Sequence, residues 1–199
     1  MDKTGFETRR NTLHLLFGLA TVALVYAGVF SAPVLLAIVL AGLVISPASR
    51  NRKVPVISWF IDRFERDEVK DSFPGKGTIY FFMGSLIAVA VFPRAAALAA
   101  ITILAIGDSV SPIVGMRTRR IKHPISRAKF LEGSAAGFLL AFAGASLFVP
   151  MAQALAATFA AFIIEGVDYV RGVRIEDNIT IPFFAGLVIW LMSGGMLWT

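Results

Sequence analysis

Seven apolar runs divide this chain, and no fold with an ordinary water-facing surface hides all of them. They lie at 12–30, 34–45, 78–92, 95–111, 133–149, 151–167 and 181–198. Most have ~16–19 residues, near the ~20 that carry a helix across ~30 Å of hydrocarbon. The second run is the shortest and would recruit flanking residues or thin the bilayer locally. No alternation of the kind that closes a barrel is visible, and in lipid only helices otherwise satisfy the backbone polar groups. The expected fold is all-α: a polytopic transmembrane helical bundle of about seven spans, one integral membrane domain over 1–199. Composition points the same way, since 57% hydrophobic and 16% charged residues cannot supply the polar surface a soluble domain needs.

Charge sets the orientation. With an odd number of spans, the N-terminus and the loops 48–76, 112–132 and 168–180 share one side. All 19 Lys and Arg lie there except Arg94, so that side is cytoplasmic by the positive-inside rule. The expected location is a cell membrane, multi-pass, with the N-terminus cytoplasmic. The turns on the other side, 31–33, 93–94 and 150, are too short to hold a site, so polar chemistry belongs to the cytoplasmic face. The net charge of +6 then reflects orientation and anionic headgroups, and no nucleic-acid partner is expected. Arg9–Arg10 before the first run resembles an export signal, but the later runs would anchor the chain with or without cleavage.

The sequence has no cysteine, which removes thiol chemistry, and His14 and His123 are too few for a typical zinc site. Carboxylates at span ends carry the functional signal, because ionisable groups at membrane depth are costly. In GDSVSPIVG, 107–115, Asp108 is followed by two hydroxyls, an oxygen set that suits Mg²⁺. Gly107 and Gly115 would let backbone approach a ligand. The plainer reading has Asp108 capping a helix or pairing with an arginine of 117–127.

RTRRIKHPISRAKFLEGS, 117–134, holds six basic residues, as a cytoplasmic loop should. Lys129 and Glu132, three apart, would share a helical face, and Gly133 to Gly137 form a small-residue surface. A triphosphate suits such a place, where cations, Mg²⁺ and helix N-termini meet. Glu165 and Asp168 are spaced three apart near the end of the sixth run, and Asp177–Asn178 open the last, where either is also a natural N-cap. Lys76 in PGKGTIYFF precedes the third run without the spacing of a Walker loop. The segment 54–73 crowds apolar residues into its first half and charges into its second. It reads as an interfacial amphipathic helix, either a linker or a guide for lipid.

DSVSPIVG followed by SRAKFLEGS resembles the CTP-binding signature of the diacylglycerol, dolichol and phytol kinase family. GKGTIYFF, EDNITIP and RRNTLH resemble further family segments, so the likeness spans most of the chain. The family's paired lysines stand here as Arg127 and Lys129, separated by Ala128, and its small residue after the Asp is Ser111. The resemblance implies a CTP-dependent kinase passing the γ-phosphoryl group to the hydroxyl of a polyprenol or other prenol, or of diacylglycerol. On that footing Asp108 with Asp177 or Asn178 would hold Mg²⁺. Lys76, Arg127 and Lys129, with Gly107, Gly115 and Gly133 beside them, would receive the nucleotide. Glu132 would hold a basic residue or the ribose, and Glu165 or Asp168 would orient the acceptor or take its proton. Phosphatidate cytidylyltransferases also use CTP in a membrane bundle, but their HGG-containing signature is absent. A transporter would show repeated halves and mid-span polar sites, and a scaffold would not need so many carboxylates.

Overall fold

The computed structural model describes residues 3–51, 55–70, 72–122, 130–166, 169–170, 173–174 and 176–195. Among these the chain is helical apart from a hairpin of two-residue strands. The helices are α1 (Lys3–Tyr26), α2 (Ala32–Asn51), α3 (Pro55–Phe64), α4 (Asp67–Lys70), α5 (Lys76–Val91), α6 (Arg94–Thr118), α7 (Leu131–Ala145), α8 (Met151–Glu165) and α9 (Asp177–Met192). Strands β1 (Tyr169–Val170) and β2 (Val173–Arg174) pair antiparallel between α8 and α9. Among the described residues, each of the seven apolar runs is helical over most of its length. Two of the described helices are long and apolar enough to cross a membrane, α2 over Ala32–Ser49 and α6; α5, α7, α8 and α9 are apolar but have 15 or 16 residues.

α6 is the axis of the fold, packed by α1, α5, α7, α8 and α9. Its first half is alanine-rich, and Ala96, Ala97, Ala99 and Ala100 are all buried, so neighbouring helices approach on every side. Small residues mark each crossing. A Cβ on Gly18 of α1 would run into the side chain of Ala105, and one on Gly42 of α2 would stand 3.0 Å from Ile79. Gly84 of α5 leaves room for the backbone of Asn178, and Gly133 and Gly137 of α7 fit against Ser111 and Gly115 of α6. The outer faces are apolar instead of polar: Val44 is 71% exposed, Leu139 61% and Phe159 61%.

The two ends of the bundle differ. Where α1, α5 and α7 end, Arg94 donates to the Tyr26 carbonyl and covers the Tyr26 ring at 5.7 Å, with Phe148 beside it. Among the described residues the other charges gather toward the opposite end, at the start of α1 and α5 and the end of α6 and α8. Two boundaries depart from the sequence reading. α6 continues through Pro112 to Thr118, so Asp108, Ser109 and Ser111 stand within the helix instead of at its end, and Gly115 is helical too. The single amphipathic helix expected over 54–73 is instead two, α3 and α4, broken at Glu65–Arg66. The break lets Glu65 turn back, where its Oε2 accepts the Gly75 N–H at 2.5 Å. Gly75 adopts a left-handed φ of 77°, which only glycine takes without strain, as the chain enters α5.

Candidate functional site

The close crossing of Gly18 and Ala105 brings the polar halves of α1 and α6 together. The two helices run in opposite directions, so one turn further along each lie His14 and Asp108. His14 Nε2 is 3.6 Å from Asp108 Oδ2, longer than a hydrogen bond, and Nε2 has no hydrogen-bond partner among the described residues. The imidazole is fixed by an edge-to-face contact with Phe81, ring centroids 5.1 Å apart. Pro112 has no N–H to return to the Asp108 carbonyl, so this residue offers a carboxylate and a backbone oxygen released from the α6 ladder. Pro182 stands in the same relation to Asn178 on α9.

Other buried polar atoms also have no hydrogen-bond partner among the described residues: Asn11 Nδ2, Ser109 Oγ, Ser111 Oγ, Glu132 Oε2 and Asn178 Oδ1. Ser46 Oγ near the end of α2, Thr158 Oγ1 and Trp190 Nε1 complete the nine, His14 Nε2 included. Burying a polar group unpaired costs ~1–3 kcal/mol, so such atoms mark places that water or a ligand would complete.

The remaining predicted residues divide clearly. Lys76 does reach this end, but its Nζ is 2.6 Å from Glu176 Oε1 and 5.3 Å from the Tyr80 ring centroid, so a phosphate would have to share it. Glu132 Oε1 accepts from the Ile121 N–H at 3.1 Å, and Leu131 N donates to Ile121 O at 2.9 Å. Those bonds, with the bridge between Lys122 and Phe130, pin both ends of the basic loop beside α6 and α7. Gly107, Gly115 and Gly133 do not line an open cradle. A Cβ on Gly107 would meet the Phe162 ring at 3.2 Å, and Gly115 and Gly133 face one another across the α6–α7 contact, where the neighbouring helix takes the space proposed for a ligand. Glu165 is buried at the end of α8, three residues from Phe162 and so on a similar face. Asp177 begins α9. Arg127, Lys129, Asp168 and His123 lie outside the described residues.

Sequence reasoning missed a second half of the site. A cavity of about 380 Å³ opens between α1, α2, α3 and the start of α5. Its walls are mostly apolar, with Phe17, Ile45, Phe60, Phe64 and Phe82 among them, and its polar lining includes Arg10, His14, Ser46 and Glu65. His14 therefore touches both the cavity and Asp108. Glu7, one turn before Arg10, accepts from Arg10 Nε at 3.1 Å and from Arg66 Nε at 2.8 Å, tying α1 to the α3–α4 break. Burial alone would raise the Glu7 carboxyl, but its bonds to Arg66 and the charges of Arg10 and Arg66 outweigh it and hold it below its ordinary value. Burial pushes the Glu65 carboxyl up, and the Gly75 and Lys76 amides only partly offset this.

No group of three or more His, Asp and Glu side chains positioned to hold a metal occurs among the described residues. That does not conflict with the donor set, because Mg²⁺ at nucleotide sites takes one or two carboxylates, with phosphates and water completing its shell. The Asp108 carboxylate, its released carbonyl and the unpartnered Ser109 hydroxyl are oxygen donors of that type.

The chain is similar to an uncharacterized protein of Methanocaldococcus jannaschii, 28% identical over 187 residues that cover 92% of each chain. No family model and no solved structure matches it.

Proposed function

We propose that this protein is a CTP-dependent lipid kinase of a cell membrane, transferring the γ-phosphoryl group of CTP to the hydroxyl of a polyprenol or related prenol. The observation that carries the reading is the position of His14, which lines an apolar cavity on one side and lies 3.6 Å from Asp108 on the other. A lipid alcohol and a water-soluble nucleotide must meet at such a boundary. The resemblance of DSVSPIVG and SRAKFLEGS to a CTP-binding signature supplies the nucleotide.

The proposed setting is a seven-span bundle with its charged end in the cytoplasm. Exposed Val44, Leu139 and Phe159 suit a lipid surround, since soluble monomers rarely expose contiguous apolar faces. The 15- and 16-residue helices would span with their polar flanks at the headgroups or a thinned bilayer.

In the transfer the acceptor oxygen bonds to the γ-phosphorus, and the bond from that phosphorus to the β,γ-bridging oxygen breaks. The hydroxyl proton leaves to a neighbouring base, and CDP departs. Such chemistry depends on positioning and on neutralising phosphate charge more than on covalent catalysis. Mg²⁺ at Asp108, with Asp177 or Asn178 reaching it directly or through water, would supply much of that neutralisation. Lys76, Arg127 and Lys129 bind phosphate oxygens, and Glu132 holds the base of the loop carrying the latter two. Glu165 and Asp168 orient groups at the α8 end.

The test uses purified protein in detergent with Mg²⁺ and γ-labelled CTP or ATP, offered polyprenol, phytol, geranylgeraniol and diacylglycerol. Label in a prenol, with CTP preferred, is expected. Asp108→Asn should abolish transfer while the protein stays folded, and near-normal turnover in that variant would remove the role given to Asp108. Label in diacylglycerol alone would change the substrate, and pyrophosphate release with a lipid phosphate would move the enzyme to the cytidylyltransferases.

A further inference from the structure

We propose that the cavity between α1, α2, α3 and α5 holds the hydrocarbon chain of the acceptor alcohol, with its hydroxyl at the end lined by His14 and Ser46. The inference deepens the kinase reading and rests on it for the reaction, while the occupancy of the cavity can be tested separately.

Size and wall chemistry select the occupant. At about 380 Å³ the cavity falls within the ~300–1,000 Å³ of small-molecule sites. Phe17 and Phe60 meet edge to face at 6.4 Å, and Phe60 and Phe64 stack tilted at 5.8 Å, forming an aromatic wall from two helices. A nucleotide phosphate would be desolvated against these rings without compensation, whereas a hydrocarbon chain gains by burial there.

The polar lining is sparse and unsatisfied. Ser46 and His14 both line the cavity, and Ser46 Oγ and His14 Nε2 are buried without a hydrogen-bond partner among the described residues. One hydroxyl on an apolar chain suits this sparse polar lining. Placed beside His14, the hydroxyl lies on the cavity side of the imidazole, whose other side faces Asp108, where the nucleotide is proposed to bind.

α3 explains how a lipid could arrive. It is amphipathic, its Phe60, Ile61 and Phe64 line the cavity, and Trp59 is exposed beside them. It is anchored after its end by Glu65 on Gly75 and by Arg66 on Glu7. A chain leaving the bilayer at the headgroup level would pass beneath this helix.

The experiment is photolabelling with geranylgeraniol carrying a diazirine, followed by peptide mapping, alongside transfer kinetics. One variant accompanies it. Ser49→Phe puts bulk into the cavity from a hydroxyl that bonds only within its own helix, to Ile45 O at 2.9 Å and Ser46 O at 2.8 Å. Label is expected on cavity-lining peptides of α2 and α3, displaced by unlabelled geranylgeraniol. Ser49→Phe should raise the KM for alcohol at least tenfold and leave that for CTP unchanged.

Label spread over outward residues such as Leu16 and Leu139, not displaced by competitor, would overturn the cavity assignment even if transfer from CTP were robust. Because that mapping uses the unaltered protein, it decides the matter even where Ser49→Phe fails to fold. Displaceable label in the cavity, with no transfer from CTP to any alcohol, would support the lipid site while removing the kinase reading.

Discussion

Substituting Gly133 with alanine tests whether the α6–α7 contact is the rigid frame of the site. A Cβ at this position would lie 2.8 Å from both N and Cα of Gly115, and closer still to the Ser111 carbonyl. Carbon atoms settle at ~3.5–4.0 Å, so the helices must part by about 0.7–1.2 Å. The obstructing atoms are backbone and cannot rotate away. Overpacking of this kind costs ~1–3 kcal/mol, and a backbone collision belongs at the upper end. Replacing a helical glycine returns ~1 kcal/mol of propensity, leaving a net loss of ~2 kcal/mol, or about 4–8 °C in Tm for a chain of this size. Gly77→Ala is the control, because a Cβ there meets nothing within 4 Å and the residue is in the first turn of α5. That variant should be neutral or more stable by up to ~1 kcal/mol. Thermal unfolding of both in the same detergent, followed by tryptophan fluorescence, makes the comparison. If Gly133→Ala melts at or above Gly77→Ala, the close contact is not a tight constraint and the reasoning fails.

Acid stability should separate two carboxylates of opposite sign. Glu7 is held below its ordinary 4.5, so its contribution is complete above that value and is lost as pH falls through the lowered one. Glu7→Gln should therefore flatten the acid limb of a melting-against-pH curve, and an unchanged limb would count against the Arg10 and Arg66 ties. Glu65 is raised, so stability declines as pH climbs from 4.5 through its higher value, and Glu65→Gln should remove that decline. The Lys76–Glu176 pair, about 30% exposed on each side, should give a coupling of ~0.2–1 kcal/mol in a double-mutant cycle. In the transfer assay Lys76→Met should raise the KM for CTP more than it lowers kcat; the reverse would remove its phosphate role.

The fold was legible wherever one physical signal dominated. Apolar runs bounded by Pro93 and Pro150 became helices because proline opens a helix readily and cannot continue the preceding one. The end of α6 was not legible for the same reason: Pro112 looked like a stop, yet the helix absorbs it and frees the Asp108 carbonyl. Glycines carry an ambiguous signal. Gly107, Gly115 and Gly133 signal close approach, but a linear sequence does not say whether the approaching partner is a ligand or a helix, and here it is largely a helix.

The site was half legible because its carboxylates announce themselves while the cavity is made by tertiary contact. The rule that drew attention to Asp108, an ionisable group in an apolar span, applies equally to His14, four residues past Arg10 in the first run. Counting histidines for zinc obscured it. Ser46 could not have been found, since a serine beside Pro47 reads as a helix end, and its burial depends on helices distant in sequence. Glu65 was one charge among many in 54–73, until Gly75 gave it a partner. What links these residues is that each meets the same space from a different helix: His14 from α1, Ser46 from α2, the aromatic wall from α3 and Glu65 just beyond it. A purely structural bundle gains nothing from Ser46 Oγ and His14 Nε2 lacking hydrogen-bond partners among the described residues. Under the kinase reading proposed above, an enzyme that must draw one hydroxyl out of a bilayer gains a place to hold it.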